Sequence, residues 1–186
     1  MLPKRSSSPQ SLSTGEITPR ELRIAPGVYA YYGWKNVSVG VWVGQAVKSA
    51  VSGLVEMSYE MAKNHPTGRS SVVFVLDQLP GPTADAQEEM KRVYSSGGLE
   101  CTAIILEGTG FWASGIRSMT NNVRRDAATS TLLRVNTSIE EVIEWLPPAH
   151  LEHTGVTLPA PDFQRALVTI RELGVVRAAL APKPRV

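Results

Sequence analysis

The chain has 186 residues, is 42% hydrophobic, and carries a formal net charge of +2 and one cysteine. That length suits one domain with extended ends. No apolar run approaches the roughly 18 residues of a membrane helix, and a lone cysteine excludes an intrachain disulfide. The charge is uneven: residues 1–26 carry +2, residues 27–155 carry −3, and residues 156–186 carry +3. A nucleic-acid-binding body concentrates positive charge on the fold, and this body does not, so nucleic acid is not expected as a partner. The single thiol fits a reducing compartment, and a cytoplasmic location is expected.

Residues 1–26 are rich in Ser, Pro and Thr and show no periodicity, which predicts a flexible basic tail. Lys4 and Arg5 are followed by polar SSSPQSLST, so no secretory signal is read there. Order begins near Val28. VYAYYGW and VSVGVWV flank Lys35-Asn36 and predict a β-hairpin, with Val37, Val39, Val41 and Val43 alternating against Ser38, Gly40 and Trp42. An amphipathic helix follows from about Ala46 to Asn64, ended by His65-Pro66. The run Val72–Leu76 is a buried strand. A helix from about Ala84 to Ser95 points Met90, Val93 and Tyr94 inward and stops at Ser95-Ser96-Gly97-Gly98.

Thr102–Leu106 is the next strand; Cys101, just before it, reads as a buried, inert thiol. Gly108-Thr109-Gly110 leads into a helix over about Phe111–Arg125. Leu132–Val135 is the fifth strand. Either Thr137 with Glu140 or Ser138 with Glu141 forms a capping box for another helix, which Pro147-Pro148 ends. A Pro-rich link separates a last helix, about Pro161 to Leu173, and a final tail. Three segments result: a tail at 1–26, a domain at 27–150, and a linker, helix and tail at 151–186. Strands alternating with helices predict an α/β fold: a mixed central sheet of about five strands, opened by a hairpin and covered by helices.

This element order resembles the STAS domain, the anti-sigma-factor antagonist fold, and its SpoIIAA-like relatives, over about residues 28–150. In that family a strand ends in Asp or Asn, and an aspartate eight residues on begins an Asp-Ser-Ser-Gly turn whose first serine is phosphorylated by a partner kinase. Here the strand ends at Asp77 and Asp85 stands eight residues on. Ala86, Gln87 and Glu88 follow, so the acceptor position holds Ala86, which has no hydroxyl. The segment GTGFWASGIRS is similar to a myxobacterial STAS-like group with no assigned chemistry. The resemblance implies a regulatory or scaffolding module without the phosphoserine switch, which works by adding about two negative charges at a helix N-terminus.

Gly108, Gly110 and Gly115 miss the G-x-G-x-x-G spacing, but helix-start N–H groups attract anions in any fold, which makes Gly108 and Gly110 the candidate ligand-binding positions. His150 and His153 are three apart beside Glu152, with no third ligand at a metal-binding spacing; no metal and no cofactor are expected. No nucleophile, base and orienting group converge, so no enzymatic activity is expected. Thr83 reads as a turn or cap residue.

Two functions stay open. The first is a non-catalytic module that docks a regulatory or signalling protein through Thr83, Asp85, Ala86, Trp112 and Arg117. The second is a binder of a small apolar or anionic ligand, because SpoIIAA-like folds resemble the lipid-carrying CRAL-TRIO fold. The aromatic hairpin with Tyr29, Tyr31, Trp34 and Trp42 either makes a homodimer contact or forms the sheet's second buried face under the last helix.

Overall fold

The computed structural model describes residues 17–77, 79–108, 117–118 and 131–179. Six strands form one sheet: β1 (Arg20–Ala25), β2 (Tyr29–Trp34), β3 (Val37–Trp42), β4 (Arg69–Val75), β5 (Leu99–Leu106) and β6 (Leu132–Asn136). They lie in the order of the chain. β1–β2 and β2–β3 are antiparallel; β3–β4, β4–β5 and β5–β6 are parallel. Four helices complete the described residues: α1 (Lys48–Asn64), α2 (Ala84–Tyr94), α3 (Ile139–Thr154) and α4 (Ala160–Ala179). The expected α/β class with an opening hairpin and a mixed sheet is what the chain adopts, with six strands in place of about five. It is broadly consistent with a STAS-like fold.

Period-two alternation sorts the side chains onto two faces. Ala30, Tyr32, Val37, Val39, Val41, Val72, Phe74, Ala103 and Ile105 are packed in the core that Phe163, Leu167 and Ile170 of α4 and Val142 and Leu146 of α3 close. Tyr29, Tyr31 and Trp42 face the other way, into a core with Val51, Leu54 and Met57 of α1 and Ala86 of α2. Parallel strands joined by right-handed crossovers and added in one direction put their helices on the same face, which is where α1 and α2 meet.

Three expectations about the ends are corrected. Residues 20–25, placed in the flexible tail, form edge strand β1, with Leu22 and Ile24 half-buried. Its charged residues hide the apolar alternation, and only pairing with β2 orders it. The helix expected to stop at Pro147-Pro148 runs to Thr154. Its buried face repeats at Leu146, His150 and Thr154, Thr154 Oγ1 donates to the His150 carbonyl at 2.8 Å, and Gly155 caps it at φ +71°. Packing of that face outweighs a penalty of about 3 kcal/mol for each proline; the carbonyls that Pro147 and Pro148 leave without a helical donor are those of half-buried Ile143 and exposed Glu144. The last helix is docked on the sheet, not held off by a linker, and continues past Leu173. A Cβ on Gly174 would lie 2.5 Å from Val41 Cγ2, so this glycine serves close helix–sheet approach and not a stop. Phe163 stacks on Trp34 with centroids 5.7 Å apart, and Gly27 N–H donates to the Ala178 carbonyl at 3.0 Å.

The capping box uses Ser138 and Glu141: Ser138 Oγ accepts from Glu141 N–H at 3.3 Å, and the Glu141 carboxylate accepts from Thr137 N–H at 2.8 Å. The hairpin aromatics belong to the protein's own core. Tyr29, Tyr31 and Trp42 are buried under α1 and α2, and Trp34 lies under α4. β2 and β3 sit inside the sheet, so these rings are not available for a homodimer contact.

Candidate functional site

The face under α2 is incompletely filled. A partly open cavity of about 130 Å³ lies between α2, the sheet and residues 79–82. Its described wall is built by alternation. β4 contributes Ser71, Val73 and Val75, and β5 contributes Leu99, Thr102 and Ile104. From Ser71 to Val75 the wall runs about 13 Å along the strand, at ~3.3 Å per residue. Met90, Val93 and Tyr94, the residues expected to face inward, form its roof.

Two features keep this space open. Gly40 has no side chain, and a Cβ there would lie 2.2 Å from Tyr31 Cζ. The Tyr31 ring therefore lies across β3, where its hydroxyl accepts from Trp42 Nε1 at 3.1 Å. Trp42 and Tyr31 thus become the side wall. At the C-terminal end of the strands, Leu79, Pro80 and Pro82 form the rim. Gln45 Nε2 donates to the Gly81 carbonyl at 2.9 Å and Thr83 N–H to the Ala46 carbonyl at 3.0 Å. Those bonds pin the loop where proline has already restricted φ.

The described lining has no charged side chain; its polar groups are the hydroxyls of Ser71, Thr102, Tyr31 and Tyr94. Burial pushes the Tyr94 phenol up to about 12 and raises Tyr31 further, with the Trp42 hydrogen bond opposing. Thr102 is 1% exposed, and its Oγ1 has no hydrogen-bond partner among the described residues. An orphan buried hydroxyl costs roughly 1–3 kcal/mol.

Arg69 stands one register row beyond the cavity end, paired with Leu99 where the next pair is Ser70 with Cys101 across a bulge. It is 2% exposed. Its Nη2 donates to Ser58 Oγ at 2.7 Å, Ser96 Oγ at 2.9 Å and the Gly97 carbonyl at 3.3 Å, while Nε has no partner among the described residues. Burial pulls its pKa down to about 10, with Glu100 opposing at longer range. No sequence pattern marked Arg69 or Thr102; each is a single polar residue at a strand position whose neighbours are set by pairing.

On the opposite face, His150 joins a buried relay. Asn36 Nδ2 donates to the Gly68 carbonyl at 3.0 Å, so Asn36 Oδ1 is the acceptor that faces His150 Nε2 at 2.8 Å. The proton therefore sits on Nε2, and Nδ1 accepts from Ser70 Oγ at 2.6 Å. Ser, His and Asn here resemble a hydrolase set. Yet Ser70 and His150 are 0% exposed and Asn36 is 4% exposed, so no substrate reaches the hydroxyl. Burial, helped by Lys35, depresses the His150 pKa to about 4. Cys101, hydrogen-bonded to Ser70, is buried with its thiol pKa raised by desolvation. His153 is exposed, and the described residues hold no group of three or more His, Cys, Asp or Glu that could bind a metal.

Of the expected contact residues, Thr83, Asp85, Ala86 and Arg117 are among the described residues. Thr83 is the N-cap residue of α2 but makes no capping bond; its Oγ1 donates to Asp85 Oδ1 at 2.5 Å. That bond, first among several, holds exposed Asp85 below the usual carboxylate range. Ala86 is fully buried against α1 and the sheet, so it offers a partner no surface. The inward turn of the helix places it in the core. Arg117 is half-buried in helical backbone and acts electrostatically on Glu141. Trp112 and Gly110 lie outside the described residues, as does most of the helix expected over Phe111–Arg125. Gly108 adopts φ +146°, with a would-be Cβ 2.2 Å from Asp77 Oδ1.

No family model matches the chain, and no curated protein matches it. Among the described residues no helix is long and apolar enough to cross a membrane.

Proposed function

We propose that this domain binds a small, largely apolar ligand in the cavity between α2 and the sheet, without catalysing a reaction on it. The observation that carries this reading is the partly open space under α2, whose described wall is apolar and holds no charged side chain. Ligand sites are concave and mostly apolar, with a few placed polar groups, and an apolar cavity of ~150 Å³ admits a benzene-sized molecule. The likeness in element order to STAS domains supports a regulatory use of such binding. Ala46 lines the cavity and its carbonyl holds Thr83 N–H. Filling the cavity would therefore be felt at the start of α2, where exposed Asp85 offers a protein partner its charge.

The test is a titration of the full chain with an uncharged environment-sensitive apolar dye, read by dye emission and by energy transfer from Trp42, which forms the wall. Saturable one-to-one binding is expected, lost in Val73→Phe, whose ring fills the slot. Absence of saturable binding, or binding that Val73→Phe leaves unchanged, would overturn the reading.

A further inference from the structure

The phenol of Tyr94 narrows the ligand class, an inference that rests on the ligand-binding reading above. Tyr94 is the last residue of α2 and roofs the cavity together with Met90, one turn earlier on the same face. Helix side chains lean toward the helix N-terminus, so the Tyr94 ring leans back over the slot. Its hydroxyl makes no hydrogen bond among the described residues, and burial alone pushes its pKa up to about 12. A buried tyrosine hydroxyl usually has a partner. Among the described residues, the partnerless side-chain polar atoms sealed from all contact are Arg69 Nε and Thr102 Oγ1. The Tyr94 oxygen is partnerless and is not one of them, so it keeps accessible surface. It also lies inside the protein, close enough for its charge to act on the phenol of Tyr31, which is 5% exposed. The open space beside both rings is the cavity that both line.

A phenol held above its ordinary pKa keeps its proton at neutral pH, so Tyr94 offers the cavity one unspent O–H donor. The described lining has no charged side chain. An ionised ligand group would be desolvated there without a counter-charge, which is costly. The group that matches Tyr94 is therefore an uncharged acceptor. A carbonyl oxygen is such an acceptor, and it brings no proton that needs a partner of its own. The remaining wall, with Val73, Ile104 and Met90, is apolar and fits a hydrocarbon body. We infer that the cavity takes a small apolar carbonyl compound, its oxygen accepting from the Tyr94 hydroxyl and its body lying between α2 and the Val73–Ile104 surface.

Amide NMR titration of the full chain at pH 7.5 compares three probes built on one ring size. They are cyclohexanone, methylenecyclohexane, which has a carbon in place of the oxygen, and anionic cyclohexanecarboxylate. Both neutral probes are expected to saturate one site and to shift the amides of Val73 and Ile104. Tyr94→Phe removes a hydroxyl that no described residue uses, so the melting temperature should not change. It is expected to weaken cyclohexanone about tenfold and to leave methylenecyclohexane within about twofold. Cyclohexanecarboxylate is expected to bind at least about tenfold more weakly than cyclohexanone. In the unmodified protein, the infrared carbonyl stretch of bound cyclohexanone should lie below its value in hexane, where it has no donor. A bound carbonyl at its hexane frequency, or a Tyr94→Phe protein that treats the two neutral probes alike, overturns the carbonyl inference and leaves the cavity reading standing. Tighter binding of the carboxylate than of the ketone does the same. Absence of a saturable shift with either neutral probe overturns the two together.

Discussion

Acidification should destabilise this protein through one buried imidazole, and the size of the effect follows from the relay. His150 has no exposed surface, donates through Nε2 to Asn36 and accepts at Nδ1 from Ser70. Protonating Nδ1 would set a donor against the Ser70 hydroxyl and place a charge in the core beside Lys35. Folding therefore lowers its pKa from 6.5 to about 4. A depressed histidine pKa means that the unfolded chain binds the extra proton first. Stability from the neutral ring is fully present above pH 6.5 and is lost as pH falls toward 4, by up to about 1.4 kcal/mol per pH unit. About 2 kcal/mol is lost by pH 5 and about 3 kcal/mol by pH 4.

The assay is urea unfolding of the unmodified chain and of His150→Gln at pH 7, 6, 5 and 4.5. Glutamine keeps one donor and one acceptor and does not titrate. At pH 7 the unmodified chain should be the more stable by about 1–3 kcal/mol, and by pH 5 the gap should close by about 2 kcal/mol. His65, whose pKa burial also lowers, and the carboxylates Asp85 and Glu141 titrate in both proteins and cancel in the difference. Parallel stability curves for the two proteins would refute the buried neutral imidazole.

Three further outcomes are expected. Gly40→Ala drives a Cβ into the Tyr31 ring; it should cost about 1–3 kcal/mol and shift Trp42 emission as the cavity wall moves, and an unchanged melting temperature would count against that wall. Gly174→Ala pushes α4 off Val41, with a similar loss of about 1–3 kcal/mol in chemical denaturation; a neutral result would mean that the close helix–sheet approach is not needed. Arg69→Met removes a buried charge that has no carboxylate partner among the described residues, and Ser96 keeps its own bonds to Ser58 and to the Val93 carbonyl. The ligand-free variant should be unchanged or more stable by up to about 4 kcal/mol, and a loss of more than about 2 kcal/mol would show that its three neutral bonds outweigh its desolvation.

Periodicity made most elements legible. The valines at 37, 39, 41 and 43 marked β3, the run at 72–76 marked β4, and the inward Met90, Val93 and Tyr94 marked the face of α2 that roofs the cavity. These signals are local, because burial of one face imposes a period on the chain itself. β1 escaped because its alternation at Leu22 and Ile24 is short and set among charges. Local chemistry also misplaced two ends. Pro147-Pro148 and Gly174 have strong helix-ending preferences, and both yield to contacts made with distant strands.

The site divides in the same way. The apolar lining was readable as core, and core and pocket have the same composition. Ala86 and Asp85 are adjacent in sequence yet point into the core and into water, since one residue of helix turns a side chain by about 100°. In sequence His150 was one of two histidines three residues apart; α3 carries it against Ser70 and Asn36. The amino-acid sequence by itself determined an α/β chain with a hairpin at its start, because hydrophobic spacing along the chain suffices for that. Only the tertiary structure decided that Arg69 is buried against α1 while a partly open space remains under α2. Register between β4 and β5 and the height of α2 above the sheet set that arrangement, and both arise from contacts between residues far apart in the chain.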